Sequence, residues 1–195
     1  MNKPGNISPR PTPEQITQEI DRIESGRELR KSIFDTIRNL IFIAAIAVLL
    51  SNLLISVLTV NRSSMSPTMS DGEIVIVVRG MDVKHGDIIA FHYNNKILLK
   101  RVIAKAGDWV HIDENGIVSI NSVILDEPYL AEKSLGECDI QFPYQVPDGT
   151  VFVMGDHRST SVDSRLKSIG PVSHDNIVGK VLLRIWPLPK FGIPK

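Results

Sequence analysis

Three serines stand close together just after a long uncharged stretch of the chain, at positions 63, 64 and 66, and a Pro-Thr pair follows them. A serine hydroxyl attacks an acyl carbonyl only when a neighbouring base takes its proton and the chain holds it in place. Ser64 lies in the stretch SMSPTM, where Pro67 restricts the turn that follows. Because most serines in turns are structural, Ser64 indicates catalysis only if the sequence also supplies a base.

Two kinds of side chain could provide that base. His157 lies in MGDHRSTSVDSR, close to Asp156 and Asp163, and these residues could complete a Ser-His-Asp arrangement. Lys100 ends the run KILLK, in which apolar residues precede it on a predicted strand. Apolar surroundings disfavour the charged ammonium form, and a lysine can then act as a base near neutral pH. The local sequence leaves both candidates open.

Short runs rich in β-branched residues are the elements that would position these side chains. Gly-containing turns separate the runs, and residues 126–149 form a coil-rich insertion. The pattern predicts a mainly β, antiparallel domain. Its predicted strands are residues 73–78, 87–93, 96–105, 109–114, 117–125, 150–155 and 177–186.

A run of 21 uncharged residues, 40–60, precedes this domain. As a helix it would span roughly 31 Å, which is enough to cross a bilayer core. The run begins after 39 residues and no A-x-A site follows it, so we predict a retained anchor rather than a cleaved signal peptide.

The flanking charges predict the orientation of the anchor. Five Lys and Arg residues lie close on its N-terminal side, whereas only Arg62 lies close on the other side. The positive-inside rule then predicts a cytoplasmic tail over residues 1–39, disordered to about residue 15 and helical after it. Residues 61–195 would form the extracytoplasmic domain of a single-pass protein.

Composition excludes several classes of function. Lys plus Arg and Asp plus Glu are balanced at 22 each, so no basic field favours nucleic acid as a partner. The single cysteine, Cys138, excludes an intramolecular disulfide and a metal site built on several thiolates. The five histidines show no metal-ligand spacing. We expect neither a metal nor a cofactor.

Four segments that occur in order after the single anchor resemble bacterial type I signal peptidases: SSMSPTM, GDIIAFHY, LLKRVIAKAGD and GDHRSTSVDSR. These are membrane-bound Ser-Lys endopeptidases that remove signal peptides from exported preproteins. The resemblance implies an antiparallel-sheet, signal-peptidase-like catalytic domain preceded by one N-terminal transmembrane helix, as in Gram-positive members. It also implies cleavage at the outer face of the cell membrane, with signal peptides, the lipid bilayer and the export translocon as partners.

Carried over by residue, the resemblance implies that Ser64 in S-M-x-P-T is the nucleophile and that Lys100 in K-R is the general base. Ser161 would hydrogen-bond the lysine amine and aim it, and Asp163 and Arg165 would form a supporting ion pair. The backbone N–H of Ser64 would contribute to the oxyanion hole.

The resemblance also assigns supporting and substrate-binding residues. Asp156 with Arg158 would hold the loop around Ser161, and Arg101 would be structural. Family substrates carry small residues at positions −3 and −1 of the cleavage site, which implies shallow apolar pockets. The candidate pocket residues are Val60, Met65, Met69, Leu98 and Leu99.

The chain departs from the family at two places. Arg62 stands two residues before the nucleophile, where many members have serine or glycine that can assist the oxyanion. The last motif reads GDHRSTS where the family usually has G-D-N-R-D-N-S. Because Lys100 occupies the place of the base, we expect His157 to be a loop residue.

Two other functions stay open from the sequence. One is a peptidase of the same fold dedicated to pilin or conjugation precursors. The other is a non-catalytic, membrane-anchored assembly factor.

Overall fold

The computed structural model describes residues 12–194, except for the side chains of residues 15, 20, 21, 23 and 24. The chain divides into two compact units, Met1–Ser51 and Asn52–Lys195. Most of the segment predicted to be disordered, up to about residue 15, lies outside the described residues.

One long helix, α1, spans Pro13–Leu54 and begins directly after Thr12, whose carbonyl accepts a hydrogen bond from the Ile16 N–H at 3.1 Å. Its part Ser25–Leu54 has a mean hydropathy of 2.1, and within residues 12–194 it is the one helix long and apolar enough to cross a membrane. Apolar side chains such as Phe42 and Leu49 are exposed along it.

The predicted anchor over residues 40–60 needs a correction at its C-terminal end. The helix stops at Leu54, and Ile55–Thr59 forms the first strand, β1, which pairs antiparallel with β2, Ile74–Val78. The two strands align Ile55 with Val78 and Thr59 with Ile74. The β-branched residues of both segments favour this pairing, and the uncharged run is therefore shared between helix and sheet.

The second unit is built on two antiparallel sheets, and its remaining strands are β3 (Ile88–Tyr93), β4 (Lys96–Lys105), β5 (Trp109–Ile112), β6 (Val118–Ile120), β7 (Val123–Ile124), β8 (Tyr144–Gln145), β9 (Thr150–Met154), β10 (Val172–Ser173) and β11 (Ile177–Trp186). The large sheet has the order β1-β2-β11-β3-β4-β9-β10, and the small sheet has the order β7-β6-β5-β8. Two 3₁₀ helices, His174–Asn176 and Leu188–Lys190, complete the regular structure of the described residues.

The predicted fold class, a mainly antiparallel β domain after one apolar helix, is confirmed. β4 and β11 have the predicted bounds, whereas the predicted strand 117–125 is split into β6 and β7. Asn121 and Ser122 lie between these two strands with φ of 51° and 69°, a left-handed turn that reverses the chain. Residues 126–149 are irregular apart from β8.

A loop over residues 60–73 connects β1 and β2 and holds the three serines. Hydrogen bonds close its base, since the Val60 N–H donates to the Glu73 carbonyl at 2.7 Å and the Gly72 N–H donates to the Val60 carbonyl at 2.9 Å. Met65 and Met69 turn inward from the loop and are buried in a core cluster that includes strand residues of β2, β3 and β11. Apolar burial thus fixes the loop against the large sheet.

Candidate active site

Ser64 and Lys100, which are 36 residues apart in the sequence, are in direct contact. Lys100 Nζ lies 2.7 Å from Ser64 Oγ. Ser64 stands in the loop after β1, and Lys100 is carried by the middle of β4. Ser64 is half-buried and Lys100 is only 3% exposed. A general base must lie within hydrogen-bond reach of the proton it removes, and this pair meets that requirement.

The surroundings of Lys100 favour its neutral form. Burial is the main cause that lowers the pKa of Lys100 from 10.5 to about 8, while Asp163 and Asp156 act to raise this pKa and Arg165 acts to lower it. Among the described residues, Lys100 forms no salt bridge. With a pKa of about 8, about a tenth of the Lys100 side chains would be neutral at pH 7.

The next residue on β4, Arg101, has a different environment. Its Nε and Nη2 atoms donate to the two carboxylate oxygens of Asp156 at 2.9 and 2.7 Å. Its Nη1 donates to the Gly86 carbonyl at 2.8 Å, and its guanidinium lies 3.9 Å from the ring centroid of Tyr129. The expectation that Asp156 and Arg158 help to hold the loop named no partner for either residue. The structure gives Arg101 as the partner of Asp156.

Arg158 instead forms a buried ion pair with Glu127 from the coil-rich insertion. Its Nε also donates to the Gly155 carbonyl at 3.1 Å. The Tyr129 hydroxyl donates to Glu127 Oε1 at 2.8 Å, and burial is the main cause that raises the pKa of Tyr129. Sequence reasoning missed Glu127 and Tyr129, since two polar residues around a proline give no separate signal.

Asp163 and Arg165 form a fully buried ion pair, with Arg165 Nε 2.8 Å from Asp163 Oδ1 and Nη2 2.9 Å from Oδ2. Asp163 Oδ2 also accepts the Gly155 N–H at 2.9 Å. Arg165 Nη2 donates to the Ser161 carbonyl at 3.3 Å. The pair therefore ties the end of β9 to the loop that contains Ser161.

The structure does not contain the predicted hydrogen bond between Ser161 and the lysine amine. Ser161 Oγ is buried and has no hydrogen-bond partner in the part of the chain that the structure describes. The Ser161 N–H donates to the His157 carbonyl at 3.1 Å, so the backbone of this loop is held without help from the hydroxyl.

Gly155 allows the nucleophile and the Ser161 loop to pack closely. A Cβ at this position would collide with Ser161 Oγ and with the Ser64 carbonyl oxygen. The same carbonyl accepts the His157 N–H at 3.1 Å. Sequence reasoning did not single out Gly155, although a glycine that follows a strand and begins the GDHRSTS motif is a signal for a close backbone approach.

A groove of about 920 Å³ opens beside Ser64 and Lys100. Of the predicted pocket residues, Val60, Met65, Leu98 and Leu99 line it. Met69 does not, because it is 0% exposed and packs in the core beneath the loop, and this corrects its predicted role. Sequence reasoning missed further apolar lining residues: Val57, Leu58, Ile97, Val162 and Ile169.

The two positions that depart from the family motif lie close to this groove. Arg62 lines it with an exposed side chain, has a φ of 78°, and donates its backbone N–H to Asp71 Oδ1 at 2.6 Å. His157 Nδ1 lies 2.9 Å from Thr160 Oγ1, and Thr160 also lines the groove. The hydrogen bond of its imidazole is thus within its own loop, and Lys100 is the base candidate that contacts Ser64.

Known proteins resemble this chain over most of its length. It is 32% identical over 184 residues to signal peptidase IB of Staphylococcus aureus (strain COL), which covers 84% of this chain and 94% of the relative. It is 30% identical over 172 residues to signal peptidase I of Streptococcus pneumoniae serotype 4, covering 68% of this chain and 83% of that protein.

A solved structure and a family model also match. The crystal structure of a signal peptidase I from Enterococcus faecalis V583 has a TM-score of 0.45 and 29% identity, and the match covers 51% of this chain and 97% of that one. The family model described as signal peptidase, peptidase S26, matches residues 33–186. Because that match spans well over half of the sequence, this chain belongs to the signal peptidase family, peptidase S26.

Proposed function

We propose that this protein is a membrane-anchored serine endopeptidase that removes N-terminal signal peptides from exported preproteins, with Ser64 as nucleophile and Lys100 as general base. The observation that carries the proposal is the 2.7 Å contact between Lys100 Nζ and Ser64 Oγ. The amine is buried and has no carboxylate partner in the described part of the chain, which supports the role of the base. Membership of the signal peptidase family supports the substrate class.

In the proposed reaction, neutral Lys100 takes the Ser64 proton as Oγ attacks the scissile carbonyl carbon. The tetrahedral intermediate collapses when the C–N bond breaks, and Lys100 returns the proton to the leaving amine. Water then attacks the acyl-enzyme, again with Lys100 as base, and this step releases the signal peptide and restores Ser64. The groove with its apolar lining would receive the residues before the scissile bond.

The backbone N–H of Ser64 is the proposed oxyanion donor. It donates to no acceptor among the described residues, so it is available for the charge that develops on the carbonyl oxygen. The hydrogen bond from the Ser66 N–H to the Ser63 carbonyl at 2.9 Å helps to fix the orientation of this peptide unit, and the one from the His157 N–H to the Ser64 carbonyl holds the next unit. The side chain of Arg62 is not needed for this role.

The buried pairs are proposed to hold the site in this geometry. Asp163 with Arg165, and Asp156 with Arg101, fix the loop that follows β9 against β4. We assign Ser161 the role of aiming the lysine amine once substrate is bound. Its buried hydroxyl, which has no partner among the described residues, supports this assignment, since a new hydrogen bond stabilises a buried polar group that lacks one.

The proposed orientation puts residues before the anchor in the cytoplasm and the second unit outside. The support is the excess of Lys and Arg before residue 40, at positions 22, 27, 30, 31 and 38. The lipid bilayer and the export translocon are the corresponding proposed partners. The test of this orientation places single cysteines at residues 10 and 84 in a Cys138→Ser background. Their accessibility to a membrane-impermeant reagent is then measured in intact cells.

The function is tested with the purified full-length protein and a precursor that has alanine at positions −3 and −1. We expect release of the mature product by the wild type and none by Ser64→Ala or Lys100→Ala. Lys84→Ala, which removes an exposed lysine outside the groove, is the matched control. Full activity of Ser64→Ala or Lys100→Ala would refute the dyad, and inactivity of the wild type would favour the assembly-factor alternative.

The breadth of the substrate set needs a second experiment. We expect depletion of the protein to leave many secreted proteins with their signal peptides, as detected by N-terminal mapping with mass spectrometry. Accumulation of only pilin or conjugation precursors would instead indicate the dedicated peptidase.

A further inference from the structure

The charged side chains that line the groove beside Ser64 are all cationic. Three cationic residues line it, Arg62, Lys96 and Lys100, and no Asp or Glu is among its described lining residues. The rest of the lining is apolar or neutral. Lys100 is committed to Ser64, so the two other cations have no assigned task in the proposed reaction.

Arg62 is held in an unusual backbone conformation. Its φ of 78° is in the left-handed region, which glycine adopts freely and residues with a Cβ adopt at a cost. Asp71, the acid on the same loop, accepts the backbone N–H of Arg62 at 2.6 Å. The exposed guanidinium has no hydrogen bond or ion pair within residues 12–194. A strained residue beside a reactive group is a reason to look for a function of its side chain.

Lys96 stands at the start of β4, four positions before Lys100, which is roughly 13 Å along an extended strand. Its side chain is exposed and likewise forms no ion pair in the described part of the chain. Leu98 and Leu99, the proposed pocket residues, lie between the two lysines on this strand. A substrate that places its small residues against these leucines would continue past Lys96.

We propose that Arg62 and Lys96 select substrates that carry an acidic side chain on the signal-peptide side of the scissile bond. This inference rests on the proposed function, because it uses the direction in which a signal peptide would lie along β4. A carboxylate facing Lys96 would precede position −3, whereas one facing Arg62 would lie closer to the bond, since Arg62 is two positions from Ser64. Opposite charges across the groove would speed encounter and fix the register of the peptide.

An anionic lipid headgroup is the rival ligand for two exposed cations. We favour the substrate because both cations line the groove that contains the nucleophile. The two ligands predict different behaviour. A substrate carboxylate affects only the peptide that carries it, whereas a lipid affects the cleavage of all peptides alike.

The test compares matched precursor peptides that differ only by glutamate or glutamine, with the glutamate moved one position at a time. Cleavage by the full chain is measured in neutral detergent. We expect kcat/KM to be about two- to fivefold higher for glutamate at the preferred positions, as for exposed ion pairs. The ratio should approach one in about 1 M salt, where the Debye length is only about 3 Å.

Variants then assign the preference to its residues. Lys96→Gln should lower the glutamate-to-glutamine ratio at positions before −3, and Arg62→Gln should lower it nearer the bond. Arg62→Lys should restore the ratio, and Arg62→Gly removes the cation while relieving the backbone. Lys84→Gln removes the same charge outside the groove and should leave the ratio as in the wild type.

Equal rates for glutamate and glutamine peptides at every position would overturn the proposal while leaving the proposed function intact. A ratio that persists in both glutamine variants would also overturn it. If vesicles with anionic lipid accelerate both peptides equally, and Arg62→Gln with Lys96→Gln removes that acceleration, the cations bind lipid instead. If the wild type cleaves no peptide at all, the proposed function itself fails.

Discussion

Lys100 and Arg101 are neighbours on β4 with opposite environments. Both are cationic and buried, at 3% and 4% exposure. Successive side chains of a strand point to opposite faces, so Lys100 meets Ser64 while Arg101 meets Asp156 and the ring of Tyr129. One side chain has a hydroxyl as its partner, and the other has a carboxylate that receives two of its N–H groups.

The difference shows what decides the role of a buried cation. Arg101 is compensated by Asp156 and stays charged, so it can only hold structure. Lys100 has no carboxylate partner among the described residues, and burial lowers its pKa to about 8. Because side chains alternate along a strand, two consecutive residues can have different roles: Lys100 is the proposed base, and Arg101 holds the structure around it.

The largest expected effect comes from Lys100→Arg. Arginine keeps the positive charge and can still donate hydrogen bonds, but it cannot lose its proton in a protein. We expect kcat/KM for precursor cleavage to fall on the order of a thousandfold or more. The fold should be retained, as measured by circular dichroism. Activity within tenfold of the wild type would mean that Lys100 is not the base.

Arg101→Met should act on stability instead. It leaves Asp156 buried without its partner, and breaking a buried ion pair costs about 3–5 kcal/mol in the free energy of unfolding. Urea unfolding measures this loss. The double variant Arg101→Met with Asp156→Asn is the matched control and should recover most of it, since no buried charge remains unpaired. No recovery would show that packing of the arginine, rather than its charge, matters.

Lys100→Met should raise the free energy of unfolding at neutral pH, whereas Arg101→Met lowers it. The folded-state pKa of about 8 is below the ordinary 10.5, so the unfolded chain binds more protons between these values. Below about pH 8 the buried lysine therefore costs up to about 3 kcal/mol, and this cost disappears as the pH rises through 10.5.

The Lys100→Met variant should accordingly be more stable than the wild type at pH 7 and lose that advantage above pH 10.5. Loss of the contact with Ser64 offsets a part of the gain. Urea unfolding at both pH values measures the difference. A variant that is as unstable at pH 7 as Arg101→Met would contradict the contrast between the two cations.

Ser161→Ala is expected to change stability and activity the least among these variants. Its hydroxyl has no partner among the described residues, so its removal should change the free energy of unfolding by less than about 1 kcal/mol. If the hydroxyl aims Lys100 in the substrate complex, kcat should fall roughly ten- to a hundredfold while KM changes little. Unchanged kcat would assign Ser161 to packing alone.

Much of the site could be predicted from the sequence because its residues lie in short motifs. The order of four segments predicts Ser64 and Lys100 as the dyad, and the apolar run before Lys100 predicts β4 with its observed bounds. The structure brings the two side chains into contact, as two motifs on one sheet can be expected to do. The mainly antiparallel fold followed from β-branched runs between turns.

The remaining parts depend on contacts between distant residues. Which acid pairs with Arg101 or Arg158 is decided in three dimensions, so Asp156 and Glu127 could not be assigned from spacing. The sequence does not reveal β1, because periodicity alone cannot tell a short uncharged run in a strand from the end of a membrane helix. Met69 was assigned to the pocket because the sequence cannot tell which side of a loop faces the core.

The pH dependence of kcat/KM tests the role of Lys100 most directly. This quantity reports ionisations of the free enzyme, and the buried lysine must lose its proton before it can act as a base. His157→Asn is the control, because it removes the rival base. We predict that activity rises with pH through one ionisation centred near pH 8, in the wild type and in His157→Asn alike. A midpoint at about pH 6.5, in the ordinary range of histidine, would contradict the account if it disappeared in His157→Asn.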